Sequence, residues 1–498
     1  MDIIVKRSEN FDEWYKQSII KSDMINYSDV YGCYILKPAS YALWEKIQSY
    51  IDSRIKKMGV NNAYFPLFGT QTNLEKFPTD VAWVTKAGSS TLTDPIFVRS
   101  ASETLIYNHF ANWIKSCRDM PLKINQWCNV VRWDFEDCVP FIRSREFLWQ
   151  EAHTCFLEKI DADIEVRMVL GMYADVYQKL LAIPVIIGCK TGMGKFAGAD
   201  YTTTVECFVP VIGKTIEGAS AHCLGQNFSK IFNIKTNNSN QPESYVYQNS
   251  WKITTRAIGL TIMIHGDDNG LVLPPQIASI QVIIIPIGIN KETPSDDIAI
   301  IHCRCREVAT IIRENGLTVE IDDKPYHEVD YKFNYWKLRG VPLRIEIGPN
   351  EIKQSTLITC RRDTGEKTIV PYFNNIEIAN FINFTLDQIQ ESMYLKAEKI
   401  RDESIVVCQN KNEFMITIDG KKMPLVPWCE KNECEESIIS ICKNKNLNVK
   451  SLCIPFNQNL AATISNNPTN IITDSSKCFC CDSDAKSYTL FGSIYLKN

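Results

Sequence analysis

Residues 125–153 read NQWCNVVRWDFEDCVPFIRSREFLWQEAH, and the alternation within them decides what kind of sheet this chain builds. Two strands joined by an acidic, proline-containing loop are predicted. In the first, Val131, Trp133 and Phe135 alternate with Arg132 and Asp134, so the two polar side chains share one face. The second, residues 143–149, returns with more charge and with the large apolar Phe147 and Trp149, then meets Glu151 and His153. Neighbouring arginines and carboxylates on the floor of a sheet suit an anionic ligand that also offers a hydrogen-bonding edge. The plainer alternative is an amphipathic hairpin with a solvated outer face.

Working outward, residues 11–58 read as helical around a short strand at 32–36, with Leu43, Trp44, Ile47, Ile51 and Ile55 at helical spacing and Gly59 as a left-handed cap. An extended piece at 60–68 contains Pro66, which suits an edge or a subunit boundary. Strands are predicted at 82–85, 95–98 and 125–134, a helix at 103–116, a long helix at 160–181, strands at 199–208 and 244–251, and a short helix at 254–264. Strands with hairpin returns imply a largely antiparallel sheet with helices packed on it. Near residue 280 the pattern changes. The run QVIIIPIGI at 281–289 is a strand buried on both faces, followed by helix, strand, helix and strand to residue 347, which is a small α/β domain. A polar helix at about 376–404 leads into a cysteine-rich tail.

The net charge of −4 argues against bulk electrostatic attraction to nucleic acid, so no DNA partner is expected. Neither a signal-peptide core nor an apolar run of about 18 residues occurs, so no membrane contact is expected. Nineteen cysteines, an odd number, point to free thiols in a reducing, cytoplasmic setting, with room for one metal site. Cys429 and Cys434, with Cys478 and Cys480, offer four thiolates, which is what a structural Zn²⁺ needs; Cys453 and Cys481 are spares. Arg132, Arg143, Arg145 and Arg256 are candidates for holding phosphates, because a guanidinium binds them bidentately and stays charged. Neither a Walker loop nor a Rossmann fingerprint is present. Glu103, Glu151 and His153 can receive an ammonium or orient a water.

Strings spread along the chain, among them GCYILKP, KKMGVNNAYFPLF, NQWCNVVRW, FIRSREFLWQE, LGQNFSK, YQNSW, GLVLPP, RRDTGEK and YTLFG, resemble those of the eukaryotic and archaeal-type prolyl-tRNA synthetases, a class II family. The resemblance implies an α+β fold. A class II antiparallel-sheet catalytic domain (1–275) would be followed by an α/β anticodon-binding domain (276–385) and a small C-terminal zinc-binding domain (386–498). It implies activation of L-proline with ATP and Mg²⁺, transfer to tRNA(Pro), and a homodimer whose interface is built by the helix and strand ending at Pro66. Arg132 and Arg256 would carry the catalysis, and Arg132, Asp134, Arg143, Phe147, Glu217, Ser220, Thr254 and Arg256 would bind ATP. Ala101, Glu103, Trp149, Glu151, His153 and His222 would line the proline pocket. Arg344, Glu351 and Lys367 would read the anticodon, and Cys429, Cys434, Cys478 and Cys480 would hold zinc. Only about a hundred residues separate the hairpin at 125–153 from the Trp251–Gly259 region with Arg256, so the resemblance implies that the bacterial editing insertion is absent.

The chain departs from the family pattern where ligands are expected. Ala101 replaces a threonine, Asp134 a glutamate, Glu217 a glutamine, Lys252 a glycine and Lys337 an acidic residue, Glu351 stands for an aspartate, and Ala152, Ala199 and Ala219 replace glycines. A methyl added to a tight pocket costs about 1–3 kcal/mol where the site cannot relax. Two further readings therefore stay open on the sequence: a paralogue that has lost prolylation and serves as a dimeric tRNA-binding or regulatory protein, and an adenylating enzyme for another amino acid.

Overall fold

The hairpin at 125–153 is present, but its strands are shifted. Leu122–Val131 pairs antiparallel with Glu146–Phe156, from Leu122 opposite Cys155 to Val131 opposite Glu146. In this computed structural model, which describes residues 3–75, 80–238, 241–325, 327–372, 374–481 and 483–495, Trp133, Asp134 and Phe135 belong to the loop and not to the first strand. The loop is folded back by Arg145, whose Nε donates to the Phe135 carbonyl at 3.1 Å and whose guanidinium lies 4.6 Å from the Trp133 ring centroid. The apparent alternation of Trp133 and Phe135 is thus loop packing on arginine stems and not a pleat.

An 11-stranded sheet contains the hairpin. Its order is Asn61–Asn62, Leu122–Val131, Glu146–Phe156, Tyr247–Thr254, Lys214–Gly225, Tyr201–Val209, Ile186–Cys189, Val449–Pro455, Ser487–Ile494, Met423–Trp428 and Ile405–Val407. The strand Lys214–Gly225 was not foreseen, because KTIEGASAHCLG is rich in residues of low strand propensity; burial between two partners overrides that preference. The last four strands come from the tail, which therefore extends the sheet: Ile454 pairs with Cys189, and Lys214 pairs in parallel with Ser493.

Behind the sheet lie the helices Pro38–Lys57, Lys159–Asp175 and Arg256–His265. Pro38–Lys57 buries Leu43, Trp44, Ile47, Ile51 and Ile55, the predicted stripe, and Gly59 takes φ +76° as its left-handed cap. Trp251 is buried from the sheet side against Tyr173, ring centroids 6.3 Å apart.

The second unit is the predicted α/β sheet with two antiparallel strands added. Val282–Pro286 lies between parallel Val319–Ile321 and Leu343–Ile347, and Thr356–Arg361 and Lys367–Pro371 continue the sheet. The helix Asn375–Glu403 runs without a break through the boundary expected at 385/386. Ile378, Ile382, Leu386, Ile389 and Met393, on both sides of that position, all join the core of this second unit. No helix among the described residues is long and apolar enough to cross a membrane.

Candidate functional site

Strand register assembles the site. On Tyr247–Thr254, Lys252 stands opposite Glu151 on one side and Ser220 on the other, and Thr254 stands opposite Trp149. Since alternate residues share a face, Trp149, Glu151, His153, Ser220, His222, Lys252 and Thr254 are brought to one floor. Over it lies a cavity of about 190 Å³ lined by, among others, Arg132, Arg143, Phe147, Trp149, Glu217, Ser220, Lys252, Thr254 and Arg256. Those expected ATP residues are thus brought together. Asp134 is the exception: it is exposed in the folded-back loop and does not line the cavity, so it is not placed beside the others as expected.

The arginines are aimed by backbone carbonyls. Arg132 Nε donates to the Ser100 carbonyl at 2.8 Å. Arg256, the first residue of its helix, donates from Nε to the Ile142 carbonyl at 3.1 Å and from Nη1 to the Glu217 carbonyl at 2.9 Å. Arg143 lies 4.3 Å from the Phe135 ring centroid, and Phe147 meets Trp149 edge-on at 6.1 Å. Guanidiniums held this way present their remaining N–H groups to a polyphosphate without further ordering.

Glu217 belongs to a charged cluster that the sequence reading missed. Lys190 Nζ lies 2.6 Å from Glu206 and 3.2 Å from Glu217. Burial pushes the Glu217 carboxyl up, but Lys190, Arg256, His222 and Lys252 outweigh it and bring it down to about 2, so it is ionised. Glu206 was detectable as the one carboxylate in the otherwise apolar and threonine-rich strand YTTTVECFV. The position of Lys190 depends on tertiary pairing.

At the amino-acid end, Glu151 is 2% exposed and fully engaged. Its Oε1 accepts from Ser102 Oγ and from Gln126 Nε2, and Oε2 lies 3.2 Å from His153 Nε2, whose Nδ1 meets Tyr107 Oη at 2.9 Å. Burial raises the Glu151 carboxyl's affinity for a proton, and the His153, Ser102 and Gln126 contacts reverse that into a net lowering. His222 stacks on Phe196 at 4.7 Å and pairs with Thr202 Oγ1 at 2.9 Å; burial and the Lys252 charge push it down to about 3, so its ring is neutral. Glu103, at the start of the helix Glu103–Trp113, is 4% exposed, and its Oε2 has no hydrogen-bond partner among the described residues. Half-buried Ala101 precedes that helix. An unsatisfied buried carboxylate oxygen is expensive unless a ligand completes it.

Of the glycine-to-alanine changes, only Ala219 lines the cavity. Ala152 is wholly buried in the main core, and Ala199 is buried in the smaller core cluster that includes Phe65 and Phe228. Their methyls are core volume and not pocket obstruction.

In the second unit, a separate cavity of about 220 Å³ is lined by Trp336, Lys337, Arg344, Arg361, Arg362 and Lys367. Arg344 and Lys367 share Glu346, at 2.8 and 3.1 Å, and both face the Phe333 ring. Glu351 lies instead on the short helix Pro349–Gln354 and is not brought to this cavity. In the tail, the sulfurs of Cys429, Cys434, Cys478 and Cys481 lie within 4.8 Å of one another. Ligands at Zn–S distances of about 2.3 Å stand about 3.8 Å apart around a tetrahedral ion, so this set fits zinc. The fourth position is Cys481 and not Cys480, as the turn carries Cys480 Sγ toward the Cys434 carbonyl at 3.7 Å.

Residues 87–265 match the family model "tRNA synthetase class II core domain (G, H, P, S and T)", residues 281–388 "Anticodon binding domain" and residues 411–495 "Prolyl-tRNA synthetase, C-terminal". The chain is 43% identical over 502 residues to a cytoplasmic proline–tRNA ligase of Arabidopsis thaliana, covering 99% of this chain and 91% of that one. It is 41% identical over 510 residues to a proline–tRNA ligase of Encephalitozoon cuniculi, covering 99% of each. Its structure superposes with a TM-score of 0.92 on the crystal structure of prolyl-tRNA synthetase from Cryptosporidium parvum complexed with L-proline and AMP, at 44% identity, covering 99% of this chain and 97% of that one.

Proposed function

Because the chain belongs to the prolyl-tRNA synthetases of class II, we propose that its sheet-floor cavity activates L-proline with ATP to prolyl-adenylate and pyrophosphate, and that the prolyl group then passes to the 3′ end of tRNA(Pro). One observation carries the site assignment: a single cavity joins the backbone-aimed Arg132 and Arg256 to Trp149, on the sheet face that also carries Glu151, His153 and His222. Identity at this level over the whole length of proline–tRNA ligases favours the enzyme over a non-prolylating paralogue.

The reaction is in-line attack of the proline carboxylate oxygen on the α-phosphorus, with pyrophosphate leaving. A tRNA terminal hydroxyl then attacks the acyl carbon, and AMP leaves. No side chain is consumed as a nucleophile, so positioning and charge stabilisation supply the acceleration. Arg132 lies where the phosphate and amino-acid ends meet and can hold the α-phosphate and the carboxylate. Arg256 braces the far side of the polyphosphate, and Phe147 offers a face for the adenine. Glu103 receives the proline ammonium, Glu151 orders Ser102 and His153 around it, and neutral His222 closes the wall. Mg²⁺, a cation of oxygen donors, neutralises phosphate charge when bound, and ionised Glu217 is the carboxylate that lines the cavity among the described residues. Arg344 and Lys367 beside Phe333 would meet the anticodon. Cys429, Cys434, Cys478 and Cys481 would hold structural Zn²⁺.

A homodimer is supported by the helix Lys159–Asp175, which exposes Ile160, Ile164 and Met168 along one face beside Met58, over a cavity of about 370 Å³. A cytoplasmic location is supported by nineteen free cysteines. The test is ATP–pyrophosphate exchange with each of the twenty amino acids. Exchange driven by proline alone supports the reading; no exchange from a folded, zinc-loaded dimer that still binds tRNA(Pro) would return the paralogue.

A further inference from the structure

Lys252 brings a charge into the amino-acid end that nothing in the activation chemistry uses. Its Nζ lies 5.8 Å from the Trp149 ring centroid and 5.3 Å from that of Phe196. Glu103, Glu217 and Glu151 attract this ammonium and Arg132 repels it. Even so, Lys252 makes no ion pair within 4.0 Å among the described residues, while the Oε2 of Glu103, the carboxylate that attracts it most, stays buried and unpartnered. Two aromatic faces and a carboxylate form a cage for an ammonium carrying an apolar body. A cyclic amino acid with a secondary ammonium has that shape, and the Lys252 side chain holds the same place.

We propose that Lys252 is an internal competitor of the substrate: its ammonium occupies the cage of Trp149, Phe196 and Glu103, and proline must displace it to bind. The proposal rests on the reading of this end as the proline pocket. Its surroundings argue against the opposite role of a clamp on the substrate carboxylate, because rings and carboxylates face it and Arg132 already offers a guanidinium at the carboxylate's place. Displacement weighs equally on the bound substrate and on the transition state, so it raises KM and leaves kcat unchanged. Lys252 therefore sets the affinity for the amino acid and is not a catalytic residue.

The experiment compares full-length wild type, K252G, K252M and K252R by ATP–pyrophosphate exchange and by calorimetric binding of L-proline. The expected result is a proline KM and Kd about tenfold lower or more in K252G, a smaller fall in K252M, and values near wild type in K252R, which keeps a cation in the cage. The KM for ATP and kcat should move by less than about threefold, as for a change in uniform binding. A proline Kd that is unchanged or higher in both folded K252G and folded K252M overturns the proposal while wild-type exchange leaves the ligase reading standing. Exchange and binding driven by another amino acid, and not by proline, in the wild type and every variant would overturn both.

Discussion

The sheet-floor cavity and the cysteine cluster are both small polar sites, yet they are held by opposite means. On the sheet floor and in its cavity, Arg132, Glu151, His222 and Arg256 arrive from separate segments, and each is aimed by partners in another: Ser100, Gln126, Thr202, Ile142. The surrounding core, with Trp44, Tyr173 and Trp251, stands without any of them. In the tail, Cys429, Cys434 and Cys478 are themselves part of the apolar core, beside Phe414, Phe479 and Phe491. A substitution in the cavity should therefore be read in kinetics, and one in the cluster in stability.

The sharpest test of that contrast is Arg132→Ala. Loss of a preorganised charge at the reacting phosphorus should lower kcat/KM for exchange by about a thousandfold, with the thermal midpoint nearly unmoved. A large drop in the midpoint would erase the distinction. Next come Cys429→Ser and Cys481→Ser. Each should take bound zinc, measured by atomic absorption, from about one per chain toward zero and lower the thermal midpoint, since metal binding is part of the tail's folding free energy. Cys480→Ser should do neither, and zinc loss there with retention in Cys481→Ser would restore the pairing expected from the spacing.

The smallest effect is one of pH. His222 sits at about 3 in the fold, because burial and Lys252 disfavour its charge, against about 6.5 when unfolded. Below about pH 6.5 the unfolded chain takes up a proton that the native state refuses until about pH 3, so stability falls as pH falls through that window. His222→Asn should flatten that part of the midpoint-against-pH curve and leave the curve above pH 7 unchanged. An identical slope in the variant would mean that His222 protonates in the fold.

How legible each region was follows from the same contrast. The helix stripe of Leu43, Trp44, Ile47, Ile51 and Ile55 and the buried run 282–286 carry their period in the chain and were read correctly. The strand Lys214–Gly225 was invisible because its glycines, alanines and serine have little strand preference of their own. Trp133 and Phe135 misled because alternation also arises in a loop stacked on arginines.

By itself the sequence determined the family and the α+β architecture, and it named the arginines that line the cavity and three of the four clustered thiols, since these follow from residue type and local period. Only the tertiary structure decided that the tail strands join the catalytic sheet and that Ala152 and Ala199 are core volume. It alone removed Asp134 and Glu351 from their expected sites, substituted Cys481 for Cys480, and stood Lys252 between two rings. Each of these is a question of which distant segment lies alongside, and in a sheet that is fixed by register, which no single strand encodes.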